Sequence, residues 1–320
     1  MKKNRQTFTT IGLFLGLTLL FLPAAILYLL YYGYKLAFYY KDPQASPYDY
    51  EDTDQSRACK KVLDAAITEF RTAPFETVSI TSDDGLKLTG RYYHVKDGAP
   101  LEIQCHGYKG NAIRDFGGNW KIAKEAGRNV LLIDERCHGN SEGHTITFGI
   151  LERTDVLNWI HYANQRFGNI SIILSGVSMG AATVLMTSEM DLPENVKGII
   201  ADCPYDAPSN IIKKVLGADM GMPVKLVYPL IRLGGMLYGK FNLDAASPVE
   251  AVKNTKVPIL LIHGDDDRFV PYSMSCNIYA AAPERIEFHT IQGAGHAYNY
   301  ATAPEEYTKI VHAFTERVLG

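Results

Sequence analysis

A chain of 320 residues with 47% hydrophobic and 21% charged residues carries enough apolar material for one large globular domain plus a short extra element, which argues against a disordered protein. Its 32 basic and 35 acidic residues, a formal net charge of -3, are spread along the chain, so no broad cationic face is offered to a phosphate backbone and nucleic acid is not an expected partner. Five cysteines (Cys59, Cys105, Cys137, Cys203 and Cys276) stand far apart, odd in number and without a CxxC pair, which points to buried thiols instead of a zinc site or a disulfide framework.

The amino terminus is the first element in chain order. Gln6 to Tyr34 carries no charge, and as a helix Ile11 to Gly33 would extend about 34 Å at ~1.5 Å per residue, enough to cross a hydrocarbon core of ~30 Å. The run exceeds the h-region of a signal peptide and no small-x-small cleavage site follows it, so an uncleaved single-pass anchor over residues 1–40 is expected. Lys2, Lys3 and Arg5 precede it. Asp42, Asp49, Glu51, Asp52 and Asp54 follow, with Lys35 and Lys41 also on that side. The bias predicts a cell-membrane protein with a cytoplasmic start and an extracytoplasmic catalytic domain, and the tyrosines from Tyr28 to Tyr40 suit an interfacial belt.

Residues 41–56, rich in acids with two prolines, read as a solvated linker, and the folded domain is expected over 57–320. A helix is predicted from Ala58 to Phe70, then a hairpin of Thr77 to Thr81 and Leu86 to His94 around Ser82-Asp83-Asp84-Gly85. Short apolar runs (Leu101 to Cys105, Asn129 to Ile133, Ile170 to Leu174, Val196 to Ala201, Val257 to Ile262, Ile286 to Ile291) then alternate with helical stretches such as Trp120 to Ala126, Leu151 to Phe167 and Met179 to Glu189. That order predicts an α/β protein with a mostly parallel sheet covered on both faces. A closing amphipathic helix is expected over Glu305 to Val318. The alternation breaks before Val257, where an insertion of about residues 205–247 reads as a helical cap. Within it Met222, Leu226, Val227, Leu230, Ile231, Leu233 and Met236 either line an apolar pocket or pack on the main domain.

The sharpest chemical signal is Gly176-Val177-Ser178-Met179-Gly180 between an apolar run and the helix-forming Ala181 to Met186. A strand, a tight turn and a helix leave no room for side chains beside the serine, whose Oγ projects at the sheet edge as a nucleophile. A serine hydroxyl needs a base and the base needs an orienting acid. The acidic loop His263-Gly264-Asp265-Asp266-Asp267 follows a later strand, and Gly293-Ala294-Gly295-His296 follows the last. His296 is the expected base and Asp267 the expected acid, with Asp265 in reserve and Asp266 as a turn former. His94, His161, His289 and His312 fall within predicted strands or helices and are read as packed or surface residues. Oxyanion donors are expected from the backbone amides of Met179 and of Tyr108, in the loop His106-Gly107-Tyr108-Lys109-Gly110. The polar loop Asp134 to Gly143 should buttress this edge. Cys137 within it has no elbow and is not read as a nucleophile, although Arg136 and His138 are placed to lower its thiol pKa.

These motifs, together with Val270-Pro271, resemble the bacterial α/β-hydrolases labelled serine aminopeptidase-like, in particular an amino-terminally anchored branch from Gram-positive bacteria. The resemblance covers roughly Phe75 to Leu319, implies the α/β-hydrolase fold with a cap after the sixth strand, and puts the acid at Asp267. It does not imply one substrate, because the family includes esterases, lipases, thioesterases, acyltransferases and peptidases.

The expected activity is hydrolysis of a carboxylic ester, acyl or lipid-like, through an acyl-enzyme on Ser178, with a small-molecule substrate, a membrane partner, and neither cofactor nor metal. A peptidase or an acyltransferase on the same three residues is the alternative, and a non-catalytic binding module the reading from another class.

Overall fold

The apolar runs pair into one eight-stranded sheet in a computed structural model that describes residues 21–40, 54–110 and 112–320. The strands are β1 (Glu76–Thr81), β2 (Lys87–Tyr93), β3 (Leu101–Cys105), β4 (Asn129–Asp134), β5 (Ile172–Val177), β6 (Val196–Asp202), β7 (Ile259–Gly264) and β8 (Ile286–Ile291). Their spatial order is β1-β2-β4-β3-β5-β6-β7-β8. The hairpin β1–β2 joins β4 antiparallel, and every pair from β4 onward is parallel. Parallel strands need crossovers, and here helices supply them: α1 (Asp54–Thr72) leads into the sheet, followed by α2 (Ala112–Glu125), α3 (Glu152–Phe167), α4 (Met179–Thr187), α5 (Pro208–Lys214), α6 (Val224–Gly234), α7 (Tyr272–Ala281) and α8 (Pro304–Leu319).

Period-two alternation along the strands divides the core between two faces. On β4, Leu131 and Ile133 meet Val156, Trp159 and Ile160 of α3, while Val130 and Leu132 meet Phe70 of α1 with Phe116 and Trp120 of α2. On β7, Ile259 and Leu261 join Ile278 of α7, and Leu260 and Ile262 join Tyr307 and Phe314 of α8. Because both faces are covered, β3, β4, β5 and β7 are buried at every position, which is why β4 and β7 carry the apolar runs Val130 to Ile133 and Ile259 to Ile262.

The insertion between β6 and β7 is helical. α5 runs on into a wider turn at Val215–Asp219, and α6, which starts after Pro223, ends in a second one at Gly235–Gly239. Its core of Tyr205, Ile211, Ile212, Leu216, Ile231, Phe241 and Leu243 is shared with Phe148 and with Tyr34 and Phe38 from the amino-terminal segment.

Residues 21–37 are helical. The upstream part of the expected anchor, from Ile11 to Leu20, and the linker from Lys41 to Thr53 lie outside the described residues. Among the described residues no helix is long and apolar enough to cross a membrane. The end of the helical segment is built into the domain: Tyr39 bridges Thr145 antiparallel, Tyr40 N–H donates to the His144 carbonyl at 2.9 Å, and Ile146 N–H donates to the Phe38 carbonyl at 2.8 Å.

Candidate active site

Five loops converge where the parallel strands end: those after β3, β4, β5, β7 and β8. Ser178 opens the turn between β5 and α4 with φ 55° and ψ −114°, a backbone conformation that side chains rarely adopt. The flanking glycines make the turn possible. A Cβ on Gly180 would lie 1.9 Å from the Cys105 carbonyl oxygen, and one on Gly176 would lie 2.3 Å from the Gly180 backbone. α4 continues with all nine of its residues buried, so the turn is pinned from behind.

The three side chains expected to work together are in contact. Ser178 Oγ lies 2.8 Å from His296 Nε2, and His296 Nδ1 lies 2.7 Å from Asp267 Oδ2. With Nδ1–H donating to the carboxylate, Nε2 is left to accept from the serine hydroxyl. Asp267 also accepts from the Phe269 and Val270 amides at 2.9 and 2.8 Å. Burial by itself raises its pKa, but the facing His296 and the hydrogen bonds from His263 and His296 outweigh burial and hold the carboxyl well below the usual range.

Geometry also separates the three consecutive aspartates. Asp265 Oδ1 accepts from the Gly293 amide at 2.6 Å and ties the acidic loop to the histidine loop. Asp266 pairs with exposed Arg268. Only Asp267 reaches His296.

The loop after β3 presses on the serine, since a Cβ on Gly107 would lie 3.4 Å from Ser178 Cβ. Its Gly107 amide is taken by Asp115 Oδ2 at 2.9 Å, which leaves Tyr108 as the next amide along the loop. Met179 is the first residue of α4, and a first-turn amide has no acceptor within its own helix. The Tyr108 ring stacks on Phe148 with centroids 5.0 Å apart, and its hydroxyl donates to the Ala37 carbonyl at 3.3 Å.

The described cleft at Ser178, of about 840 Å³, runs between α1 and α2 and is lined by residues that include Leu63, Ile67, Lys109, Asn119, Phe269 and Tyr300. None of the seven cap residues considered for a pocket lines it. Ile231 is buried and packs against Phe38 and Phe241, Met222 and Val227 pack on the same cluster, and Leu226, Leu233 and Met236 are exposed.

Comparison with known proteins agrees with this architecture. The alpha/beta hydrolase fold family matches residues 103–226. The Bacillus subtilis protein YqkD is 25% identical over 240 residues, covering 75% of this chain and 78% of that protein. A zebrafish (Danio rerio) protein named lysophosphatidylserine lipase ABHD12 is 27% identical over 205 residues, covering 60% of this chain and 50% of its own. Among solved structures, the Pyrococcus furiosus esterase Pf2001 superposes with a TM-score of 0.64 at 20% identity, covering 88% of this chain and 99% of the esterase. Est1E of Butyrivibrio proteoclasticus, solved with ferulic acid, gives 0.60 at 22% identity, with 76% and 99% covered. The chain has the α/β-hydrolase fold.

One residue of the candidate site was missed by sequence reasoning. His263, at the end of β7, is fully buried; its Nε2 lies 3.1 Å from Asp267 Oδ2 and 3.0 Å from the Val270 carbonyl, and its Nδ1 lies 2.6 Å from Ser275 Oγ. With Nε2–H donating, Nδ1 accepts from the serine hydroxyl, so His263 braces Asp267 through the same carboxylate oxygen that faces His296. The available signal was a lone imidazole ending an apolar strand directly before the acidic loop.

The loop after β4 supports the same edge. Arg136 makes paired hydrogen bonds to Asp155 at 2.7 and 2.8 Å and reaches Asp84 at 3.0 Å. His106 Nε2 accepts from the Glu135 amide at 3.1 Å, and the His106 and His138 rings meet edge to face at 4.6 Å. Cys137 is buried as expected, but its thiol is not lowered by its basic neighbours: burial, reinforced by the charge of Glu152, pushes it up to about 12, and Arg136 offsets only part of this. Cys203 Sγ lies within 4.8 Å of donor atoms of Asp267 and His296. Burial first, then the charges of Asp202 and Asp267, raise this thiol well above its usual value, so it is poorly suited to bind a metal as thiolate.

Proposed function

We propose that the hydrolase is a serine esterase that cleaves acyl or lipid-like carboxylic esters. The observation that carries this reading is the unbroken hydrogen-bonded chain Ser178 Oγ, His296, Asp267, set beside a loop whose Tyr108 amide is not the one held by Asp115. Ser178 Oγ attacks the ester carbonyl while His296 Nε2 takes its proton, and Asp267 keeps Nδ1 protonated and stabilises the imidazolium. The oxyanion is received by the Met179 and Tyr108 amides, each worth about 3 kcal/mol. The imidazolium then protonates the departing alcohol. Water, deprotonated by the same nitrogen, releases the acid from Ser178.

Esterases among the structural relatives and a lipase among the sequence relatives support the ester over the amide. So does the engagement of the acids at the cleft: Asp54 by Arg57, Asp115 by Gly107, Asp202 by Asn299 and Tyr307, and Asp266 by Arg268, which leaves them poorly placed to receive a substrate amino group. The amino-terminal apolar segment is read as holding this domain at the cell membrane, outside the cytoplasm, with residues 205–247 as its cap.

Labelling with a fluorophosphonate probe and turnover of an ester chain-length series test the reading. Wild type should label and turn over. Ser178→Ala and His296→Ala should not label, with turnover lower by at least about 10⁴-fold. Equal turnover by the Ser178→Ala protein would refute it. Protease protection in intact cells tests the membrane side, and a fully protected domain would reverse the orientation.

A further inference from the structure

We infer that the cap itself rests on the lipid bilayer, so that the amino-terminal helix and α6 form one lipid-facing surface. Three observations carry this. First, α6 and its continuation expose Leu226 (71%), Leu233, Met236 and Leu237. Leu226, Leu233 and Leu237 follow one another at spacings of seven and four, so they share one face of the helix, while Ile231 and Gly234 turn inward.

Second, this face adjoins the apolar amino-terminal helix. A Cβ on Gly234 would lie 2.3 Å from the Leu30 carbonyl oxygen, and one on Gly33 would lie 3.3 Å from the Ile231 backbone. Tyr238 Oη donates to the Leu27 carbonyl at 3.1 Å, and the Tyr31 and Tyr238 rings meet edge to face at 5.3 Å. The helix buries Leu30, Gly33, Tyr34 and Phe38 against the domain and exposes Phe21, Leu22, Ile26, Leu27, Leu29 and Tyr32. The uncharged run that it continues reaches back in the sequence to Gln6.

Third, the charge around the exposed leucines is basic. From Lys213 to Lys240 the sequence carries Lys213, Lys214, Lys225, Arg232 and Lys240 against the single acid Asp219. Lys214 is held by Asp219 and Arg232 by Asp244, while Lys225 and Lys240 are exposed. Apolar side chains rimmed by lysines suit the acyl and headgroup layers of an anionic bilayer.

The consequence is a fixed posture. Because the helix is bonded to the cap and, through Ala37 and Tyr108, to the loop beside Ser178, the cleft is held at a set height above the lipid instead of moving on a tether. This rests on the membrane reading above, and the test separates the two.

Both native tryptophans, Trp120 and Trp159, are buried, so an added one serves as a reporter. The full chain carrying Leu226→Trp, Leu233→Trp or Phe75→Trp is reconstituted into phosphatidylcholine–phosphatidylglycerol vesicles with or without brominated acyl chains. Phe75 is also exposed, at the opposite end of the strands. Unchanged hydrolysis of a water-soluble ester certifies the fold of each variant. Brominated lipid is expected to remove about half of the added emission at positions 226 and 233 and none at 75. If the chain stays with the vesicles but 226 and 233 are quenched no more than 75, the cap face is refuted and the anchor stands. Blue-shifted but unquenched emission would mean that protein covers the face, which also overturns the proposal. A chain that leaves the vesicles altogether overturns both.

Discussion

The edge of the sheet that carries Ser178 and the contact between the cap and the amino-terminal helix solve opposite problems with glycine. At the edge, Gly176 and Gly180 let a strand, a strained serine and a helix meet within five consecutive residues, where any Cβ would strike backbone. In the cap, Gly33 and Gly234 let two helices 200 residues apart in sequence approach backbone to backbone. The first arrangement is local and is written as a motif. The second is a tertiary contact, and no stretch of sequence shows both of its halves. Positional demands are therefore easy to read when the constraint lies within one turn of chain and invisible when it joins distant elements.

Substitutions on either side can break this comparison. The largest effect is expected from Gly180→Ala: with the Cys105 carbonyl 1.9 Å from the new methyl, the turn must open, and a loss of more than about 4 kcal/mol, read by urea unfolding or as insoluble expression, should follow. A tolerated alanine would show the turn to be less tightly packed than described. Phe38→Ala comes next. Its ring is 1% exposed and meets Phe148 and Phe241 edge to face at 6.0 and 5.0 Å, so about 3 kcal/mol should be lost. An unchanged unfolding midpoint would mean that the amino-terminal segment adds nothing to the stability of the domain.

The smallest expected effect sharpens the Ser178 side through pH. Asp267 has its folded-state pKa depressed below the ordinary value, so its ionised form adds stability above an unfolded pKa of about 3.9. That contribution is lost as pH falls through the lower folded value. Unfolding free energies of wild type and Asp267→Asn, measured from pH 5 down to 2.5, should therefore differ most at the upper end and converge at the lower. A constant gap would mean that the carboxylate gains no stabilisation from the two imidazoles.

Much of the site was legible because its parts end strands. The apolar runs marked β5, β7 and β8, and the residues just past their ends, Ser178, Asp267 and His296, inherit a common edge from parallel pairing. The choice among Asp265, Asp266 and Asp267 could be proposed from the chain but needed the fold of the loop to show that Asp265 faces Gly293, Asp266 faces Arg268 and Asp267 faces His296. His263 was passed over because its partner is four residues away in a loop that doubles back, a spacing without meaning in an extended strand. The cap leucines were undecided for a related reason. Apolar periodicity marks a face of a helix, and only packing says whether that face meets protein, substrate or lipid.

The sequence by itself determined the period-two and helical patterns, the tight turn at Ser178 and the order in which the strands present Ser178, Asp267 and His296, because each depends on backbone geometry over a few residues. The tertiary structure alone decided which carboxylate faces the imidazole, that His263 braces that carboxylate, that burial and Glu152 outweigh Arg136 at the Cys137 thiol, and that Tyr34 and Phe38 belong to the core of the cap. Those features depend on distance and burial between segments far apart in the chain, and residue order carries no direct record of either.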